Sequence, residues 1–218
     1  MMGPTPNVTD YQFELDGGAV CLDFVNTLDS SGEHLERYAD LVAFAEQSHL
    51  LTPEDADWLR AEAQRDRVSA EGVMVRAKRL RASMYAIFSA IASQKRPREH
   101  DIEQLNFELA ATLQHARVLS ADSEGGYAWG WSGRNPDAPL WGITRSAADL
   151  LVDDERRRLV RHCGGTNCNW LFLDTTRNRS RQWCSMRSCG NREKARRHYQ
   201  RRRTASTTAS APKTGSAS

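Results

Sequence analysis

The sequence predicts a mainly α chain: a helical N-terminal domain with one small β-hairpin, then a small cysteine-clipped module ending in a helix. Three observations carry this prediction. Apolar residues recur at steps of three and four over residues 70–94. Four of the five cysteines fall as two pairs of matched spacing, Cys163-x4-Cys168 and Cys184-x4-Cys189. Charge is segregated. The net charge is only +2, yet residues 160–203 hold twelve Lys/Arg against Asp174 and Glu193, while 1–159 hold 17 Lys/Arg against 26 Asp/Glu.

The length of 218 residues allows one large domain or a medium and a small one, and 39% hydrophobic content with six tryptophans can build a core. Residues 1–10 are polar, carry two prolines and are expected to fray. Gly17-Gly18 signals a turn, and Cys21, Phe24, Val25 and Leu28 then take the spacing of a short helix. A second helix is expected over 35–50, with Tyr38, Leu41, Val42, Ala45 and His49 on its repeating positions. Thr52-Pro53-Glu54-Asp55 reads as a helix start: a hydroxyl N-cap, proline at N1 and acid near the positive dipole end. Over 70–94, Val73, Ala77, Leu80, Met84, Ile87 and Ile91 form one core-facing stripe. Pro97 closes it, and a further helix runs from Arg98 to about His115. ARVLS (116–120) and YAWGWS (127–132) alternate and flank a Gly-containing loop, the pattern of a β-hairpin. A last helix spans 140–152, and DDERRR (153–158) connects. The expected domains are 13–152 and 158–203. The tail, 204–218, is of low complexity and without apolar period, and is expected to be disordered.

No run of about 18 apolar residues occurs, so no membrane span is expected. The first residues lack the features of a secretory signal. A cytoplasmic, nucleoid-associated chain with reduced thiols is the expectation, which makes structural disulfides a poor account of the cysteines. Two short loops giving two thiolates each suit zinc, which favours a tetrahedron of soft ligands. One structural Zn2+ on Cys163, Cys168, Cys184 and Cys189 is therefore predicted, in a treble-clef-like or zinc-ribbon-like module. The glycines of HCGGTNC (162–168) fit a tight knuckle needing unusual backbone angles. A module of about 45 residues has too little core to fold without such a clip. His162 reads as a neighbour of the first ligand, and Cys21 as core.

The basic residues of the module suggest a polyanion partner. Arg177, Arg179, Arg181 and Arg187 lie between and within the ligand pairs. Arg192, Lys194, Arg196, Arg197 and Arg201 lie on a breaker-free helix from about Arg192, where Ala195 and Tyr199 could pack on the knuckle. Arginine's planar fork bonds two phosphate oxygens at once, and such dense like charge repels itself unless neutralised. DNA is expected ahead of RNA, because stacking aromatics are few.

WLFLDTTRNRSRQWCSMRSCGNREKARRHYQRR resembles the CGNR zinc finger, named for Cys189-Gly190-Asn191-Arg192 here. All four ligand positions are present, with the Asp174, Arg177 and Trp183-Cys184 positions of the motif. GGAVCLDFVNTLD and the later RSAADLL are similar to the ABATE domain that usually precedes this finger. The resemblance implies a bacterial transcription regulator, often stress-induced, whose zinc ligands carry over onto the four cysteines. It implies no catalytic residue and no ligand.

The N-terminal domain has two candidate roles. Asp23 and Asn26 could line a small-molecule effector pocket, or cap neighbouring turns. Trp129, Trp131 and Trp141 could wall a cavity, or serve as core. Homodimerisation through the 70–94 helix is the alternative. No nucleophile–base pair, phosphate loop or open metal site occurs in 1–159, so an enzyme is not expected. An RNA-binding or ribosome-associated protein is the second reading.

Overall fold

The computed structural model describes residues 11–120 and 126–209, with 201–209 described by backbone alone. The N-terminal ten residues, the loop at 121–125 and the tail from 210 onward lie outside the described residues. Helices dominate: α1 Val20–Val25, α2 Tyr38–Gln47, α3 Pro53–Arg65, α4 Arg67–Ala92, α5 Glu99–Leu113, α6 Ala138–Val152, the short α7 Asp154–Arg157 and α8 Asn191–Ala209. Three antiparallel strand pairs accompany them: β1 Leu28–Asp29 with β2 Gly32–Glu33, β3 Ala116–Ser120 with β4 Tyr127–Trp131, and β5 Val160–His162 with β6 Leu171–Leu173.

Helix α4 runs through the middle of the molecule and packs on α1, α2, α3, α5 and β5. Its predicted stripe is buried from Val73 through Ala77, Leu80 and Met84 to Ile87, with Phe88 beside it, all at most 3% exposed, whereas Ile91 at its end is only partly buried. Each of the larger side chains contributes about 1.5–3 kcal/mol through burial, so truncating one in the middle, as in Leu80→Ala, costs about 2–5 kcal/mol. Helix α3 starts where the capping chemistry puts it, with Thr52 Oγ1 accepting from the Asp55 amide at 3.1 Å.

The first two helices are shorter than their apolar spacing suggests. Helix α1 stops at Val25, and Leu28 leaves the stripe to sit 47% exposed on β1. Two-residue strands leave no alternation to read, so β1 and β2 had no sequence signal. Helix α2 ends at Gln47, because His49 takes a left-handed φ of 58°. The Leu50 amide then bonds the Ala45 carbonyl at 2.8 Å and the His49 amide the Glu46 carbonyl at 3.0 Å, a Schellman closure. Gln94 (φ 56°) ends α4 the same way, with the Lys95 amide on Ala90 O.

The last helix is longer than predicted. It continues to Ala209, so residues 204–209, read as disordered tail, are helical. The segment TASTTA contains no Gly or Pro, and the ladder set up by the arginine-rich turns propagates through it at low cost per residue.

The two predicted domains share a core. Strand β6 is buried on both faces: Leu171 and Leu173 join the cluster built by α1, α4 and α6, whereas Trp170 and Phe172 face the cysteines. The chain leaves α6 through α7, capped by Asp153 on the Arg156 amide, and enters β5 beside α4 without a linker.

Candidate metal centre and basic surface

The first cysteine pair sits on the turn joining β5 to β6. The Cys163 amide bonds Trp170 O at 2.9 Å and the Cys168 amide bonds Gly165 O at 3.1 Å, which folds residues 163–168 into a knuckle. The second pair comes from a single wide turn, Met186–Gly190, that opens α8, with Cys184 just before it. Because this pair lies at the mouth of a helix and not on a second hairpin, the arrangement is treble-clef-like. The four Sγ atoms lie within 4.8 Å of one another. Cys184 is 3.7 Å from Cys189 and 3.9 Å from Cys168. A zinc–sulfur distance of about 2.3 Å puts tetrahedral edges at about 3.8 Å, so the residues present fit zinc.

Backbone donors reinforce the fit. The amides of Gly165 and Cys184 point at Cys163 Sγ, at 3.4 and 3.3 Å. Four thiols this close cannot all ionise unaided. Thiol hydrogen bonds from Cys168 and Cys184 hold Cys163 low, at about 2. The Cys163 thiolate in turn pushes Cys168 up to about 12 and raises Cys184 as well. A divalent cation removes that conflict, since coordinated thiols are deprotonated.

The knuckle glycines are needed for space and not for unusual angles. Among residues 163–168 only Asn167 has positive φ, at 60°. A Cβ on Gly165 would lie 3.0 Å from Cys189 Sγ, and one on Gly164 would lie 3.1 Å from the Gln182 carbonyl. His162 is exposed and faces α4, 3.3 Å from Ser93 Oγ, and is no ligand. Cys21 is fully buried in the α1 core, and burial pushes its thiol up to about 12.

Asp174 and Glu193, the two acids of this module, organise it. Asp174 is 1% exposed and accepts from the Thr176 amide and hydroxyl and the Arg181 amide. Burial alone would raise its pKa, but these hydrogen bonds outweigh burial and hold the carboxyl below its ordinary range. Asp174 thereby fixes the loop 175–181, in which Arg179 adopts a φ of 47°. Glu193 ties the two ligand loops together. It accepts from the Thr166 hydroxyl and amide on the first knuckle and from Arg196 on α8, and is held down to about 2. Ala195 and Tyr199 do not pack on the knuckle as expected: both are exposed, and Glu193 is the inward residue of the first turn.

The predicted basic residues fall into three groups. Arg177, Arg179, Arg187, Arg192 and Lys194 are exposed, and among the described residues their side chains make no ion pair or hydrogen bond. Arg196 is exposed but bonded to Glu193, and Arg197 lies 5.8 Å from the Trp183 ring centroid. Arg181 is turned inward. It donates to Trp183 O, Asp16 O and Cys184 O and covers the Phe172 ring at 4.6 Å. A guanidinium so occupied braces the finger against the N-terminal segment. Arg201 is described by backbone only, on α8.

Asp23 and Asn26 hold backbone. Asn26, 3% exposed, accepts from the Leu171 amide and donates to the Leu171 carbonyl, both at 2.9 Å. This bidentate clamp joins α1 to β6 across 145 residues of sequence. Asp23 accepts from the Gly17 amide at 2.7 Å, and burial pushes its carboxyl up to about 7. A recess walled by tryptophans lies elsewhere, between α3, β4 and α6, with Trp58, Trp131 and Trp141 on its walls. Trp58 was not among the sequence candidates, because it lies far ahead of the hairpin it meets.

Among the described residues no helix is long and apolar enough to cross a membrane. No curated protein matches the chain. The model of the CGNR zinc finger matches residues 159–202, which include all four cysteines. The model of the ABATE family, described as "Putative stress-induced transcription regulator", matches residues 18–154, more than half of the 218 residues. The zinc-fitting cysteine cluster, its treble-clef-like setting and these two matches lead to one assignment: the chain belongs to the ABATE family, with a CGNR zinc finger at its C-terminal end.

Proposed function

We propose that the protein is a zinc-dependent, DNA-binding transcription regulator. The observation that carries this reading is the unpaired basic surface of the finger: Arg177 and Arg179 on the loop, Arg187 on the wide turn, Arg192 and Lys194 on α8. Cations left without acids on a rigid frame favour a polyanion, and forked guanidinium groups favour phosphate. Residues 194–200 of helix α8 are all exposed, so this stretch can enter a groove. One zinc ion with four thiolates has no open coordination position, so its part is to hold the loop and the helix in one geometry. The N-terminal domain would supply an effector site or a dimer interface.

Gel-shift titration across salt concentration tests the reading. Affinity should fall steeply with salt, and Arg177→Ala/Arg179→Ala should flatten the slope by about one unit per lost phosphate contact. Salt-independent binding would overturn it. Competition between duplex DNA and structured RNA at one salt concentration decides which polyanion is preferred.

A further inference from the structure

We propose that the cleft between α3, β4 and α6 binds a flat aromatic or heteroaromatic small molecule. The cleft has a volume of about 490 Å³, suited to a molecule of two or three fused rings. Three indoles from three separate elements converge on it: Trp58 from α3, Trp131 from β4 and Trp141 from α6. The rings of Trp131 and Trp141 lie 5.8 Å apart at 42°, and His115 stacks on Trp141 at 4.2 Å, fixing its plane. Aromatic walls held in place from behind select flat partners, because offset stacking rewards planarity.

Two further observations indicate a ligand. Trp141 is only 3% exposed as a residue, and its indole N–H, which is not fully buried, has no acceptor among the described residues. A donor left open at the wall of a cleft is available to an acceptor on a ligand. His49 occupies the left-handed position that ends α2, where glycine is the usual residue, and its ring lines the cleft with no hydrogen bond among the described residues. Across the cleft, the planar guanidinium of Arg134 lies 5.7 Å from the Trp58 centroid, where it holds the place a flat ligand would take. Its ion pair is with exposed Glu54, so displacement costs little. Gly133 beside it has a φ of 85° and open space where a side chain would sit. The ring of the ligand would therefore stack between Trp58 and Trp131, with its polar edge at His49 and Trp141.

That such a ligand acts as an effector rests on the regulator reading above, whereas its binding does not. The test uses the zinc-loaded full chain, uniformly 15N-labelled, and follows the six tryptophan indole N–H signals. Quinoline and 2-naphthoate are the flat probes, and cyclohexanecarboxylate is the non-planar control. Saturable shifts are expected for the signals of Trp58, Trp131 and Trp141 with the flat probes, while those of Trp170 and Trp183 stay in place. Trp58→Leu should weaken binding about three- to tenfold, the contribution of one aromatic contact. His49→Gly, which suits the left-handed turn and so retains the fold, should weaken it as well. No shift at millimolar probe, equal shifts with cyclohexanecarboxylate, or unchanged affinity in both variants would overturn the proposal. DNA binding measured on the same sample separates the two readings: a silent cleft with intact DNA binding sinks only this one.

Discussion

The two halves of the chain treat arginine differently. In the N-terminal half, most arginines are paired with acids, the buried Arg60 and Arg81 among them. Arg81, 4% exposed, grips both oxygens of Glu33 and also donates to Thr27. Arg76 forks onto Glu108, itself 1% exposed, and reaches Asp137. In the finger, Asp174 and Glu193 are spent on fixing loops, and apart from Arg196, which bonds Glu193, the exposed Arg177, Arg179, Arg187, Arg192 and Lys194 form no ion pair among the described residues. Pairing, and not the number of arginines, sets apart the surface proposed above to meet a polyanion. Arg181 enforces the point from inside the finger, since its donors are taken by carbonyls.

The most severe way to break this contrast is to remove what holds the finger. A strong chelator should unfold the module, since structural zinc contributes on the order of 10–16 kcal/mol in small domains. Because β6 belongs to the N-terminal core as well, the main thermal transition followed by circular dichroism should also move down. An unchanged transition would mean that the protein core holds the finger without metal.

Next comes the buried pair. Arg81→Met should cost about 2–3 kcal/mol in chemical denaturation, because it removes the forked partner of Glu33 and leaves only the Leu35 amide and Lys78, 3.7 Å away, to hold the carboxylate. Asp23 is a buried acid of this half with no cation partner among the described residues. Its folded pKa of about 7 lies above the value of about 3.9 expected in an unfolded chain. The folded state thus binds that proton more tightly. Its stabilisation is fully present below about pH 4 and is lost as pH rises through about 7. Asp23→Asn keeps an acceptor for Gly17 and should flatten the stability profile across that window.

Asn26→Ala removes both hydrogen bonds to Leu171 and should cost about 2 kcal/mol, while the cysteines keep their geometry. Arg179→Ala should be the mildest for the fold, within about 0.5 kcal/mol, yet should lower DNA affinity and reduce the salt slope by about 1. A destabilising Arg179→Ala, or an Arg81→Met variant that unfolds at the wild-type denaturant midpoint, would erase the distinction between the two halves.

What could be read from the sequence depended on the range of each interaction. The stripe of α4, the Thr52 cap and the cysteine pairs are local patterns: the stripe is mostly buried, the cap forms, and the two pairs converge on one cluster. The Asn26 clamp needs a partner 145 residues away, so its amide looked like a candidate pocket group. Sequence reports the charge of Arg181 but not its direction, and direction separates a brace from a contact. His49 fell on the apolar repeat of α2, and the repeat does not reveal that the backbone reverses there. The knuckle glycines were correctly placed, but what they accommodate is the Cys189 sulfur and a carbonyl of the next loop.

Strand β6 is three residues long, and the alternation of Leu171, Phe172 and Leu173, with Trp170 just ahead of them, gives each face to a different neighbour. There is no tether here along which one unit could swing while the other stays still. Whatever tightens the N-terminal core should tighten the metal site, and the reverse, because both are read by the same few side chains. A message passing through this protein would travel as a change in shared stability, and a cut made between the two segments would separate two pieces of one interior.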